Sequence, residues 1–386
     1  SMKYKLIVGT TLIPFIALAV VTLLYIFLPI PENLLIFIKG STPSNVSLLT
    51  SVFGIFYAIG LIIWGILSDK IGKDFTLAIG LLLLALITFI IPLISGYYLL
   101  LLARSIQGFC AASFPPVALA WISVNLADAT KSKAISIISC AFLLATTIGQ
   151  WFGSIMIVDS LHKSMWFLGI IYALGAVCFY FNSSKSNRKK PTPQKTTITS
   201  IFSKLPNILF NKKLFPIYCC SLFVLLSFVS LYSILHHSSL IIYVPTLRNI
   251  SIIAILFSLT AGYIFKLIKP LYVLFMALCL MSISLLIHCF YINDQLNFVS
   301  FLFIIHFIFI FGLAYAIPSM ITCITIESEA ESRGIAISLY TCVLFIGASV
   351  GAFLPTIFET NTLILLVTLF LFICALQLML NKRNYH

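Results

Sequence analysis

The chain has 386 residues, of which 61% are hydrophobic and only 9% charged, with a formal net charge of +13. A soluble domain of this length needs more polar surface than that to cover its core, and the mean hydropathy of +1.15 points to lipid as the solvent. The positive charge suggests a nucleic-acid binder only until its placement is read, because the basic residues fall between long apolar runs, mostly on alternate connections.

A bilayer-spanning helix needs about 20 apolar residues, and the long unbroken runs argue for helices over the alternating segments of a barrel. Twelve spans are predicted, near 6–30, 46–67, 76–95, 97–121, 135–158, 164–182, 214–236, 247–267, 270–291, 296–323, 335–357 and 361–381. The pattern is weakest between the seventh and eighth, where His236, His237, Pro245 and Arg248 interrupt it.

With both termini placed in the cytoplasm, 19 of the 23 Lys and Arg residues fall on cytoplasmic segments. Only Lys39, Lys163 and Arg248 lie outside, and Arg104 lies within a span. This asymmetry sets the orientation by the positive-inside rule. Segment 183–213 is basic, contains proline and divides the chain into an N-terminal bundle over 1–182 and a C-terminal bundle over 214–386. Apolar residues recur in its second part at near-helical spacing. That leaves two readings open: an amphipathic helix on the anionic leaflet, or an irregular linker, which Pro206 favours.

The ten cysteines all lie in apolar runs, without CxxC or zinc spacing, and read as packing residues; no metal or cofactor is expected. No G-x-x-x-x-G-K-[ST] sequence for ATP use is present.

Three segments carry chemistry. The connection after the second span reads Gly65-Ile-Leu-Ser-Asp69-Lys70-Ile-Gly72-Lys73. Gly65 admits a neighbouring helix, Asp69 closes the span at the water boundary, Gly72 permits a tight turn, and Lys70 and Lys73 hold it on the cytoplasmic side. The fourth span contains Arg104-Ser-Ile-Gln107-Gly108. A charge inside a span is costly and therefore a functional candidate, and Gln107 shares its helix face. The fifth span contains Ala145, Gly149 and Gly153 at four-residue intervals, a small-residue stripe suited to close helix packing, with Gln150 beside it.

These segments resemble motifs A, B and C of the major facilitator superfamily, the last being that of its drug:proton antiporter-like branch. Motif C is altered: Ala145 stands for its first glycine, Gln150 for its proline and Ser154 for its last glycine. The halves also echo each other, Gly347 and Gly351 in the eleventh span repeating Gly149 and Gly153, and the charged connection ending in Arg333 repeating the one before the fifth span.

The resemblance implies an all-α membrane protein of twelve helices in two six-helix halves. It implies a conformational latch at Gly65, Asp69, Lys70, Gly72, Lys73 and Arg333, and solute binding near the midplane. It also implies coupling or solute contact at Arg104 and Gln107.

The ten Asp and Glu residues all fall at connections or span ends, Asp159 and Glu327 being nearest the interior. With Arg104, His288 and His306 as the intramembrane cations, a neutral or anionic organic solute is expected. Tyr25, Tyr57, Gln150, His306, Tyr315 and Tyr340 are the further candidates for its site.

The expected function is proton-coupled secondary transport of a metabolite, siderophore or drug, as a monomer in a bacterial inner membrane, without nucleic acid. Export is favoured, and import of an anionic metabolite or siderophore is the alternative. A membrane-embedded enzyme is the distant third, since His236 and His237 have no carboxylate close in sequence.

Overall fold

A computed structural model describes residues 2–27, 38–40, 43–152, 161–186 and 198–385. Among the described residues, twelve helical stretches are long and apolar enough to cross a membrane. They run Met2–Tyr25, Leu48–Ile71, Lys73–Leu93, Tyr97–Asn125, Asp128–Phe152, Leu161–Asn182, Phe215–His236, Ser239–Leu267, Pro270–Ile292, Val299–Glu327, Arg333–Thr356 and Thr360–Leu380. Many of their large apolar side chains are exposed, among them Leu102, Ile170, Ile283 and Leu369. This outward greasiness suits hydrocarbon, where helices satisfy every backbone group internally.

Two boundaries differ from the sequence reading. The second span continues to Ile71, so Asp69 and Lys70 ride its last turn and the chain reverses at Gly72 alone. Gly72 has φ +94°, a conformation that side chains with a Cβ rarely adopt. The eighth span begins at Ser239, with a 3-10 turn over Ser239–Tyr243 entering the helix Val244–Leu256 at Pro245. Proline at the first turn lacks only an N–H that would be unpaired anyway, so the interruption read there is a helix start.

Contacts divide the chain into two compact units, Ser1–Leu126 with Ala141–Ser203, and Ala127–Cys140 with Lys204–His386. The start of the fifth span is thus part of the second unit. There the Gly262 N–H donates to Ser136 Oγ at 2.7 Å. In the second part of the 183–213 segment a helix forms over Ile198–Leu209 despite Pro206, with Phe202 and Phe210 exposed.

Each unit is drawn together by glycines at span crossings. A Cβ at Gly108 would strike the Phe53 carbonyl, joining the fourth span to the second. At Gly149 it would lie 2.9 Å from Tyr25 Cβ, joining the fifth to the first. In the second unit, Gly347 meets the Leu222 carbonyl, and a Cβ at Gly351 would lie 2.6 Å from the Leu226 carbonyl. The eleventh span therefore uses against the seventh the device that the fifth uses against the first. Gly153 lies outside the described residues.

The fourth span is broken between Ala111 and Pro115 because Pro115 and Pro116 carry no N–H. Ser113 N–H turns back to the Cys110 carbonyl, and the Phe109 carbonyl is taken by Trp64 Nε1 at 2.8 Å. A side chain from the neighbouring span thus satisfies a backbone acceptor that hydrocarbon cannot.

Replacing Gly347 by leucine should destabilise the detergent-solubilised protein by about 1–3 kcal/mol or more, as overpacking does. A Cβ at Gly96 meets nothing within 4 Å, so Gly96→Ala should leave the thermal unfolding temperature nearly unchanged. Thermal unfolding followed by tryptophan fluorescence compares the two.

Candidate functional site

In the first unit, Arg104 is fully buried. Its Nε donates to the Leu49 carbonyl at 3.2 Å, Nη1 to Gln107 Oε1 at 2.7 Å and Nη2 to the Leu23 carbonyl at 3.3 Å. The guanidinium lies between two rings, 4.4 Å from the centre of Phe27 and 4.2 Å from that of Phe53. Gln107 completes the group by donating from Nε2 to Thr88 Oγ1 at 3.0 Å.

The cation therefore has neutral partners only: carbonyl dipoles, an amide oxygen and two aromatic faces. No salt bridge reaches it among the described residues. Arg104 and Gln107 come from one helix face three residues apart, Thr88 from the preceding span, and the carbonyls from the first and second. A side chain reaching out to lipid headgroups, the other fate open to an Arg near a span end, is not what is seen.

At the junction of the second and third spans of the same unit, Lys73 Nζ lies 3.8 Å from Asp69 Oδ1, one helical turn away across the Gly72 reversal. Asp74, the next residue, accepts from Trp121 Nε1 at 2.9 Å and Asn182 Nδ2 at 3.4 Å. It pins the start of the third span to the ends of the fourth and sixth. Tyr57 is buried, and Tyr25 and Gln150 are half-buried.

In the second unit the polar centre is His306. Its Nε2 is 2.8 Å from the Tyr232 hydroxyl and 3.2 Å from Ser251 Oγ, and its Nδ1 is 3.1 Å from His288 Nε2. His288 Nδ1 is in turn 2.6 Å from the Ser284 carbonyl. Tyr232 and Ser251 oxygens are 2.6 Å apart, and Ser251 Oγ also reaches the Leu247 carbonyl at 2.8 Å. Four spans, the seventh to the tenth, contribute one group each.

Tyr315 pairs with Thr260 at 2.5 Å between oxygens. Tyr340 is buried, and its hydroxyl has no hydrogen-bond partner among the described residues. Arg333 holds its own connection, donating from Nε to Ser328 Oγ at 3.3 Å and from Nη2 to the Ser328 carbonyl at 3.2 Å. Glu327 ends the tenth span with its side chain 4% exposed, 3.6 Å from Lys213 Nζ. This buried carboxylate is thus paired with the lysine that leads into the seventh span.

The sequence reading leaves His288 out of the site candidates and does not name Tyr232, Ser251, Thr88, Phe27 or Phe53. One signal for the histidines was present. The ninth and tenth spans form a hairpin around 293–298, with His288 about one turn before it and His306 about two turns after it.

Twelve apolar helices packed through paired glycine crossings, with isolated polar clusters inside, define the architecture of a polytopic membrane transporter. A model of the Major Facilitator Superfamily matches residues 10–352, and the chain belongs to that superfamily. It is similar to the MFS-type transporter YybF of Bacillus subtilis (strain 168), at 25% identity over 50% of this chain and 47% of YybF. It is also similar to the quinolone resistance protein NorA of Staphylococcus aureus, at 29% identity over 60% of this chain and 58% of NorA. The chain spans about half the length of the curated relatives it matches.

Among solved structures, that of the major facilitator FucP in its outward conformation matches with a TM-score of 0.69 and 15% identity. The match covers 96% of this chain and 98% of FucP, a likeness of fold. Family and relatives point to a transporter rather than an enzyme.

Arg104→Lys keeps the charge but replaces a planar fork by a single ammonium. Hydrogen bonds to charged groups contribute about 1.5–3 kcal/mol each. The variant should therefore lose about 3 kcal/mol of stability, read as a lowered unfolding temperature, with Gln107→Leu showing part of the same loss.

Proposed function

We propose that the chain is a proton-coupled secondary active transporter that moves a small neutral or anionic organic solute across a bacterial inner membrane by alternating access. Both termini are cytoplasmic in this reading, the protein works as a monomer, and export is the favoured direction. The observation that carries the solute class is Arg104: a buried cation whose observed partners are all neutral. A cationic drug would add charge of the same sign, whereas a neutral or acidic solute adds none or relieves it.

NorA, named for quinolone resistance, supports export of a drug-like solute. The altered motif C, with Gln150 in place of proline, keeps a second reading in view: import of an anionic metabolite or siderophore. The Tyr340 hydroxyl, buried without a hydrogen-bond partner among the described residues, is a group that a ligand could satisfy. Tyr25, Tyr57, Gln150 and Tyr315 are proposed beside it. Gly65, Asp69, Lys70, Gly72, Lys73 and Arg333 are proposed as the parts of a latch that sets the balance of conformations.

A thermal-shift screen of quinolones, organic acids and siderophores tests the solute class. A ligand at 100 times its Kd stabilises the folded state by about 2.7 kcal/mol. Neutral and acidic compounds should raise the unfolding temperature; stabilisation by organic cations alone would contradict the reading. In proteoliposomes, accumulation of a solute so identified should collapse on adding a protonophore, and persistence would remove the proton coupling. Asp69→Asn should change transport rate while leaving the rank order of solutes unchanged in a competition assay.

A further inference from the structure

The polar chain in the second unit has a property that its separate members do not. The Ser284 carbonyl can only accept, so His288 Nδ1 carries a hydrogen and donates to it. In a neutral ring His288 Nε2 is then an acceptor, and the His306 nitrogen facing it, Nδ1, must be the donor. His306 Nε2 is thereby left with a lone pair, directed at the Tyr232 and Ser251 oxygens. Every tautomer is fixed by a carbonyl at one end.

With both rings neutral, Ser251 donates to the Tyr232 oxygen at 2.6 Å and Tyr232 donates to His306 Nε2 at 2.8 Å. A proton placed on Nε2 reverses this chain without breaking it. Nε2–H then donates to the Tyr232 oxygen, Tyr232 turns its hydrogen to Ser251 Oγ, and Ser251 turns its own to the Leu247 carbonyl at 2.8 Å. The proton takes up the Nε2 lone pair, the ring gains one positive charge, and two hydroxyl rotations complete the change. A second proton is refused. On His288 Nε2 it would set N–H against N–H across 3.1 Å.

We propose that Tyr232, Ser251, His288 and His306 form a binding site for a single proton. Its use as the coupling proton rests on the proposed function, but its capacity to hold one proton does not.

The surroundings suit a reversible charge. Both histidines and Ser251 are buried, and Tyr232, the half-buried member, is the one that reaches the surface of the unit. Within four residues of these members along their own spans, the ionisable groups are His236 on the seventh span, Arg248 on the eighth, and Cys289 and Tyr291 on the ninth. Arg248 Nη2 lies 3.3 Å from His236 Nε2 and adds positive field from the side of Tyr232. The twelfth span, packed on the ninth, has no Asp, Glu, Lys, Arg or His from Thr360 to Leu380. No carboxylate is hydrogen-bonded to either ring among the described residues, so the proton is held by hydroxyl and imidazole oxygens and nitrogens alone.

The test is 15N NMR of the full chain in lipid nanodiscs, labelled at histidine, with His162, His236, His237 and His386 replaced by glutamine to leave only the pair. From pH 9 to pH 4 the two rings should take up one proton between them, each keeping its Nδ1–H throughout. Uptake of two protons, or of none, would overturn the proposal. The same chain carrying Tyr232→Phe and Ser251→Ala removes the acceptors for Nε2–H. Its affinity for the proton should fall at least tenfold, a displacement of about one pH unit, and an unchanged titration would equally count against the site. No transport is measured, so failure here is distinct from failure of proton coupling in vesicles.

Discussion

The rule that a polar group inside a bilayer must find its partner within the protein governs every informative feature of this chain. It makes the spans helical. It sends Trp64 to the Phe109 carbonyl, which Ser113 N–H leaves bare by turning back to Cys110. It surrounds Arg104 with two carbonyls, an amide and two rings, and it links His288 and His306 to hydroxyls drawn from two further spans. The glycine crossings serve the same end, because close backbone approach is what brings carbonyls of one span within reach of side chains on another.

Much of this was legible in the residues. Hydropathy gave the number of spans because the runs are long and unbroken. Asp69, Gly72 and Lys73 marked the reversal between the second and third spans, and Arg104 with Gln107 three residues on marked one polar face. What stayed hidden depends on crossings between distant segments. Leu23 and Leu49 carry no sign that their carbonyls hold a guanidinium. Tyr232 and Ser251 are ordinary residues of apolar spans until His306 is placed between them. Nor does Asp74 show in the sequence that its carboxylate ties Trp121 and Asn182 to the third span.

The two clusters divide the electrostatic work. Arg104 is a permanent charge, held by groups that do not ionise with it. The histidine chain, as proposed, would hold one proton that comes and goes, with tautomers fixed by the Ser284 carbonyl. In the proposed function the first favours the solute and the second responds to the gradient that drives transport. In this chain neither relies on a mid-span carboxylate, since Glu327, the buried acid at the end of the tenth span, sits against Lys213.

The central claim, that the chain carries a solute by alternating access, is tested most directly by counterflow in proteoliposomes. Vesicles loaded with an excess of unlabelled solute, drawn from those that stabilise the protein, are diluted into a trace of the labelled form. A carrier that re-orients with solute bound predicts a transient accumulation of label inside, above its outside concentration, followed by decay. A monotonic approach to equal concentrations, without overshoot, would contradict the account and indicate a channel.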